Sequence, residues 1–358
     1  MVTDRSHPGD ASVWRSQFAP EGIFLNTPTY GLPPQQVVAA MTGGIERWQR
    51  GVGTTDEYDG AVARARALFA DLVGVTPQDV AVANQVSVLV GTVAASLPDG
   101  CRVLTVEGDF TSLLYPLLAQ QHRGVTVRTV ALEELADAIS DDIDMVAFSL
   151  VQSSDGRIAD LDAILAAASR HFARTLVDAT HAVGWLPVDA TRVDYLVVGA
   201  YKWLLSPRGT AFLAIRPEHV ATIQPIAPGW YAAEDVWGSI YDANMRLADS
   251  ARRADVSPAW LCWLGTVPAL ELITAIKVKN INRHDVALAN RVRDALDLAP
   301  SASAIVSIPT KGAVDLAAHG IKASVRAGTL RIGCHLYNND ADVDTLIEAV
   351  RPAVMKSF

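Results

Sequence analysis

Lysine is scarce in this chain: 6 residues in 358, the first of them Lys202. Cysteine is scarcer still. Cys101, Cys262 and Cys334 form no CxxC pair, which argues against a zinc site, and no metal is expected. An odd, sparse set of thiols suits a reducing compartment. Positive charge is also in short supply. The net charge is −9, the pI about 5.3, and no basic run exceeds a pair such as Arg252-Arg253. That balance argues against nucleic acid or an anionic membrane as partner. No run of 18 apolar residues occurs, so no membrane span is expected. The opening stretch, MVTDRSHPGDASVWRSQF, lacks the apolar segment of a secretory signal. The expected location is cytoplasmic.

What the chain does have is apolar bulk. Half of its residues are hydrophobic and 19% charged, enough for a large core, and the length allows two domains. Helical spacing marks 35–50 and 59–73, after a short strand at 23–25. Seven apolar runs follow, at 80–83, 102–106, 125–130, 145–151, 175–177, 195–198 and 211–215. Helical spacing fills 86–97, 111–121, 132–139 and 161–171 between them. Strands alternating with helices imply an α/β fold with a mostly parallel seven-stranded sheet wrapped by helices. Their continuous apolar character fits burial on both faces. After residue 216 the pattern changes. An aromatic crossing holds Trp230, Tyr231, Trp237 and Tyr241. Helices are expected over 257–276, 283–298 and 340–353, the last with Asp340 as N-cap, and short strands near 304–308, 322–326 and 329–332. The expected division is an N-terminal arm over 1–20 packing on the small domain, a large domain over 21–250, and a smaller C-terminal α+β domain over 251–358.

Lys202 sits among Leu196, Val197, Val198, Trp203, Leu204 and Leu205. An ammonium is costly to bury there. Burial favours the neutral amine, the form that adds to a carbonyl as a Schiff base. Upstream, an apolar strand ends in Asp178, and strand ends in α/β sheets face the ligand crevice. Pyridoxal phosphate (PLP) needs a lysine for its aldehyde and a carboxylate for its ring nitrogen. Taken singly, each residue has an ordinary reading, since such aspartates cap helices and such lysines snorkel. Together they point to PLP.

Other junctions supply candidate contacts. Gln85, Val86 and Ser87 open a helix whose free N–H groups suit a phosphate, or are an ordinary cap. Phe110 is placed to stack on the pyridine ring, or is core. Ser153 and His181 are candidates for the ring's phenolic oxygen. Tyr201 either holds phosphate or fills space. Arg331 offers a bidentate clamp for a substrate carboxylate, against the alternative of a surface arginine. Asn26, at the end of the first short strand, is a second candidate for substrate contact.

This set resembles the fold-type I PLP enzymes, specifically the class V aminotransferase superfamily. That group holds cysteine desulfurases, kynureninase, isopenicillin N epimerase-like proteins and the ergothioneine-pathway C–S lyase. The resemblance runs from LNTPTYG (25–31) to RIGCHLYN (331–338). It is sharpest in VDATHAVG (177–184) and in YKWLLSPRGTAFLAIRPE (201–218), which looks like the lysine motif of the epimerase-like and C–S lyase branch. It implies Lys202 as the Schiff-base lysine, Asp178 as the ring-nitrogen partner, and His181 and Ser153 near the phenolic oxygen. It also implies Phe110 stacked on the ring, residues 85–87 on the phosphate, Arg331 on the substrate carboxylate, and a homodimer. Some residues depart from the family pattern. Tyr201 stands where the family often has His, and Gln85-Val86 where it usually has small or hydroxyl residues. Residues 316–328 hold no Cys, which disfavours persulfide chemistry.

The expected activity is therefore on an α-amino acid, through an external aldimine and a Cα carbanion. Transamination and C–S β-elimination stand level. Epimerisation or racemisation is the alternative, and a non-catalytic PLP-binding protein the contrasting class.

Overall fold

The computed structural model of the chain describes residues 11–241 and 243–355. The first half of the expected arm, and residues 356–358, lie outside them. Helix α1 (Ala11–Arg15) begins the described chain. Trp14 meets His284 edge-on at 5.8 Å between ring centres, and Phe18 meets Tyr337 at 5.1 Å. Arg15 lies 3.4 Å from Asp342. The arm thus packs on elements from the far end of the sequence.

Strand β1 (Ile23–Phe24) leads to helices α2 (Gln35–Gln49) and α3 (Thr55–Val73). The spacing placed the start of α3 at 59. It begins four residues earlier because the Thr54 side chain accepts from the Glu57 N–H and caps it. Gly74, left-handed at φ +79°, ends it.

The large sheet holds β2 (Val80–Ala83), β3 (Arg102–Val106), β4 (Thr126–Val130), β5 (Met145–Ser149), β6 (Arg174–Asp178), β7 (Tyr195–Gly199) and β8 (Ala211–Ile215). Their spatial order is β2-β8-β7-β6-β5-β3-β4. Only β8 runs against its neighbours. The other strands share one direction, so their carboxyl ends meet along one edge, and β8 returns to that same edge at its start. Helices α4 (Val86–Ala95), α5 (Thr111–Leu118) and α6 (Leu161–Arg170) cross between strands, and α7 (Pro217–Val220) follows β8. Strands β2, β5, β7 and β8 are buried along their whole length, as two-sided cover requires. β4 is the exception. It is an edge strand, largely exposed despite its valines. The helix expected over 132–139 is absent. Leu132–Glu134 makes a single 3-10 turn, and Leu135 and Ile139 are buried from irregular backbone instead.

Beyond the sheet, α8 (Trp260–Ile276) packs on α2 and α3. Helix α9 (Val278–Ala295) follows at once, bent 82° from α8 around Lys277 at φ +73°. The gap expected before residue 283 is thus one residue wide. β9 (Ile305–Ile308), β11 (Ser324–Arg326) and β12 (Thr329–Gly333) form an antiparallel sheet in the order β11-β12-β9. β10 (Ile321–Lys322) pairs in parallel with β1. In α10 (Asp340–Val350) the N-cap is Asn339, one residue before the expected Asp340. Asn339 and Asp342 satisfy each other's backbone N–H groups in a capping box. Among the described residues no single helix is long and apolar enough to cross a membrane.

Candidate active site

The carboxyl ends of β2, β3, β5, β6 and β7 surround a cavity of about 390 Å3. Asn84, Gln85, Val86, Phe110, Ser112, Ser149, Asp178, Thr180, His181, Tyr201, Lys202, Arg208 and Gly209 line it. It has the size of a cofactor site. A larger cleft of about 750 Å3 lies at the opposite edge of the sheet, but its ionic groups are committed to one another. Asp194 there takes His219 at 2.9 Å and Arg216 at 3.0 Å.

Lys202 follows β7 in a turn that approaches its surroundings closely. Gly31 donates its N–H to the Tyr201 carbonyl at 2.9 Å, and a Cβ on Gly31 would stand 2.2 Å from the Lys202 carbonyl oxygen. Gly184, at φ +118°, lies equally close to the Trp203 carbonyl. Leu205 holds a left-handed φ of +56°, a strained value for a leucine. The turn is thus clamped between two glycines, and the Lys202 side chain is buried.

Its amine lies 2.8 Å from His181 Nε2. On the other ring nitrogen, Nδ1 receives the indole N–H of Trp203 at 3.5 Å. An indole only donates, so Nδ1 is the acceptor and Nε2 carries the proton. In that tautomer the neutral form of the Lys202 amine accepts from Nε2. Electrostatics agree. Burial brings the Lys202 amine down to about 7, with the Asp178 carboxylate opposing and Arg331, Arg208 and Arg326 assisting. Burial, together with Lys202 and Arg331, holds His181 well below its ordinary value, so it is neutral.

Asp178 ends β6. Its Oδ1 accepts from the Thr180 N–H at 2.9 Å. Burial pushes the carboxyl up, opposed by Thr180 and Lys202. Beneath it, Asp109 ties β3 to β5. It accepts from the Ser149 hydroxyl at 2.5 Å, the Ser149 N–H at 2.8 Å and the Phe110 N–H at 2.6 Å. Those bonds set Phe110 over the cavity, 5.3 Å from the Lys202 amine. The α4 N-terminus opens at Gln85, whose side chain makes no cap bond.

Arg331 lies on β12, fully buried but outside the cavity wall. Its guanidinium donates to the carbonyl and hydroxyl of Ser153, to Thr29 and to Ser324. Thr29 in turn donates its hydroxyl to Asn26 Oδ1 at 2.7 Å. Among the described residues Arg331 Nε is a buried donor with no partner. The Ser153 hydroxyl is therefore engaged by Arg331, and Ser149 takes the place on the cavity wall expected for it. Ser87 lies one position into α4 and does not line the cavity either.

So Lys202, Asp178, His181, Phe110, Tyr201, Gln85 and Val86 come together, while Asn26, Ser153 and Arg331 form an adjoining network. Asp109, Ser149, Thr180 and Arg208 went unrecognised in the sequence. Arg208 sits within the lysine motif, and that placement was its one visible signal.

The family model described as aminotransferase class-V matches residues 24–326. The chain belongs to the class-V aminotransferase family. As a class-V enzyme it is PLP-dependent, and its cavity fits the group: a buried amine, a buried carboxylate, an aromatic face and an open helix N-terminus. A Bacillus subtilis (strain 168) protein described as an uncharacterized aminotransferase, YcbU, is 29% identical over 80% of this chain and 82% of its own length. Isopenicillin N epimerase from Streptomyces clavuligerus is 27% identical over 70% and 69%. The chain matches only 56% of the Deinococcus radiodurans kynureninase, at 28% identity. Among solved structures, the cystine C–S lyase C-DES, in complex with its product cysteine persulfide, superposes with a TM-score of 0.83. That match is 20% identical and covers 91% of this chain and 96% of the other. Cysteine desulfurase from Thermococcus onnurineus NA1 gives the same TM-score at 20% identity, over 95% and 97%. At that identity the likeness concerns the fold.

Proposed function

We propose that this class-V enzyme moves a proton at the Cα of an α-amino acid, with Lys202 as the residue that attaches PLP and carries the proton. The observation that supports this most is the buried Lys202 amine, 2.8 Å from His181 Nε2 inside the cavity that Asp178 closes, with burial bringing it down to about 7. Bound there, PLP supplies an electron sink for bond cleavage at the substrate Cα. Asp178 would hold a proton on its ring nitrogen. Phe110 would cover one ring face, and the α4 N–H groups would take its phosphate. The neutral His181 Nε2–H donates a hydrogen bond without adding charge. Arg331, through its orphaned Nε, receives the substrate carboxylate, with Ser153, Thr29 and Asn26 fixing the guanidinium. Lys202, brought down to about 7 by burial and so able to gain or lose a proton near neutral pH, acts as general base and then as general acid.

Amino transfer and C–S β-elimination share this step, and epimerisation requires only that the proton return to Cα. Persulfide chemistry is disfavoured, because burial raises the thiols of Cys101, Cys262 and Cys334. Incubation with amino acids, cysteine S-conjugates and sulfoxides separates the outcomes. Pyruvate and ammonia without a keto acid indicate elimination. Dependence on a keto acid indicates amino transfer. No turnover of any amino acid by the holoenzyme contradicts the reading.

We infer further that the protein is a cytoplasmic homodimer. Three free cysteines support the location. Val38, Ile45 and Trp48 on α2, with Val52 just beyond it, leave an apolar stripe exposed, which supports a second copy. Sedimentation of the holoenzyme as a monomer would oppose this.

A further inference from the structure

We propose that Arg208 is the charged anchor of the cofactor's phosphate, with the ring of Tyr201 as the platform that aims it. The proposal rests on the PLP reading of this cavity. The phosphate arm of PLP branches from the ring carbon beside the one that bears the aldehyde, so its anchor lies within an arm's length of Lys202. On that stretch of the wall the chain places Gln85 and Val86, where the family pattern has small or hydroxyl residues, and Tyr201, where it often has His. Backbone N–H groups of α4 remain, but they carry no full charge.

Arg208 supplies one. Its guanidinium carbon lies 5.1 Å from the centre of the Tyr201 ring, a cation–π distance, and the residue lines the cavity. It reaches this edge because β8 alone runs backwards, so the turn before Ala211 returns to the carboxyl ends of the other strands. The turn is held in place. The Cys262 thiol donates to the Arg208 carbonyl, Thr210 bonds back to Pro207, and Gly209 holds a left-handed φ of +113° with Cys262 Sγ only 3.0 Å from where a Cβ would stand. Among the described residues Arg208 forms no ion pair, so its charge is uncommitted. Arg208 and Arg331 also crowd Lys202 with positive charge, which an anion relieves.

The test compares PLP with pyridoxal, which lacks the phosphate, by equilibrium titration of cofactor-free protein. Arg208→Ala should weaken PLP about 30-fold, the loss of one charge-assisted contact, and leave pyridoxal within about 2-fold. Arg208→Lys should recover most of the PLP affinity, since a lysine retains the point charge. Equal losses for both ligands, or none for either, overturn the proposal. Lys202→Ala keeps the two questions separate. If it retains the visible band of attached cofactor, the PLP reading itself fails, whatever Arg208 does.

Discussion

Replacing Lys202 by Met in the cofactor-free protein should change how stability depends on pH. The amine is buried and titrates at about 7 in the folded chain, against 10.5 in the unfolded one. Below pH 7 both states hold the proton, and the folded state bears the full cost of a desolvated ammonium. Between pH 7 and 10.5 the unfolded chain binds the extra proton, so stability rises with pH through that window. The whole shift is worth about 5 kcal/mol, of which about 2 kcal/mol is regained between pH 7 and 9. Methionine keeps the apolar stem and does not titrate. The ionisable groups that do not face Lys202 are common to both proteins and cancel, and burial is the leading cause of the shifts on its neighbours Asp178 and His181 in both. Urea unfolding at pH 7 and pH 9, at one fixed protein concentration, reads the effect. The wild type should gain about 2 kcal/mol more than Lys202→Met across that interval. Equal gains would mean that the amine is solvated, and the argument for a pre-formed nucleophile would fall.

Gly31→Ala should disrupt the lysine turn, because its Cβ would meet the Lys202 carbonyl oxygen at 2.2 Å and Leu205 Cδ2 at 2.8 Å. A loss of more than about 2 kcal/mol in urea unfolding, with a weakened cofactor band, checks this. Asp285→Ala breaks the buried pair with His335 (3.0 Å), whose other ring nitrogen donates to the Trp203 carbonyl. It should cost about 3–5 kcal/mol in the same assay. Asp178→Asn should still bind cofactor but turn over amino acids at least about 100-fold more slowly, as seen in single-turnover rates. Arg331→Lys should lower kcat/KM for amino acids far more than it lowers cofactor affinity, measured by steady-state kinetics beside PLP titration.

Lys202 was legible because a rare charged residue stood in an otherwise apolar run. Asp178 was legible because a strand ended there. Both signals are local, and so are the helix periods behind α3 and α6. Asp109, Ser149 and Thr180 were not legible. They matter because β3, β5 and β6 lie side by side, and neighbour order in a sheet is not written in any one segment. Arg208 was hidden for the same reason, since its position depends on β8 being reversed. Ser153 misled because a hydroxyl at a strand-end turn suits a cofactor as well as it suits an arginine arriving from β12. The helix expected over 132–139 rested on Leu132, Leu135 and Ile139, whose spacing also serves turns that bury single side chains. The break placed before residue 283 failed because a lone left-handed residue, Lys277, turns the corner between α8 and α9.

Borohydride reduction of the holoenzyme, followed by peptide mapping, tests the central claim most directly. The account predicts a pyridoxyl group on the peptide that contains Lys202 and on no other. A label on Lys277, Lys279, Lys311, Lys322 or Lys356, or a fully retained cofactor band in Lys202→Ala, would contradict it.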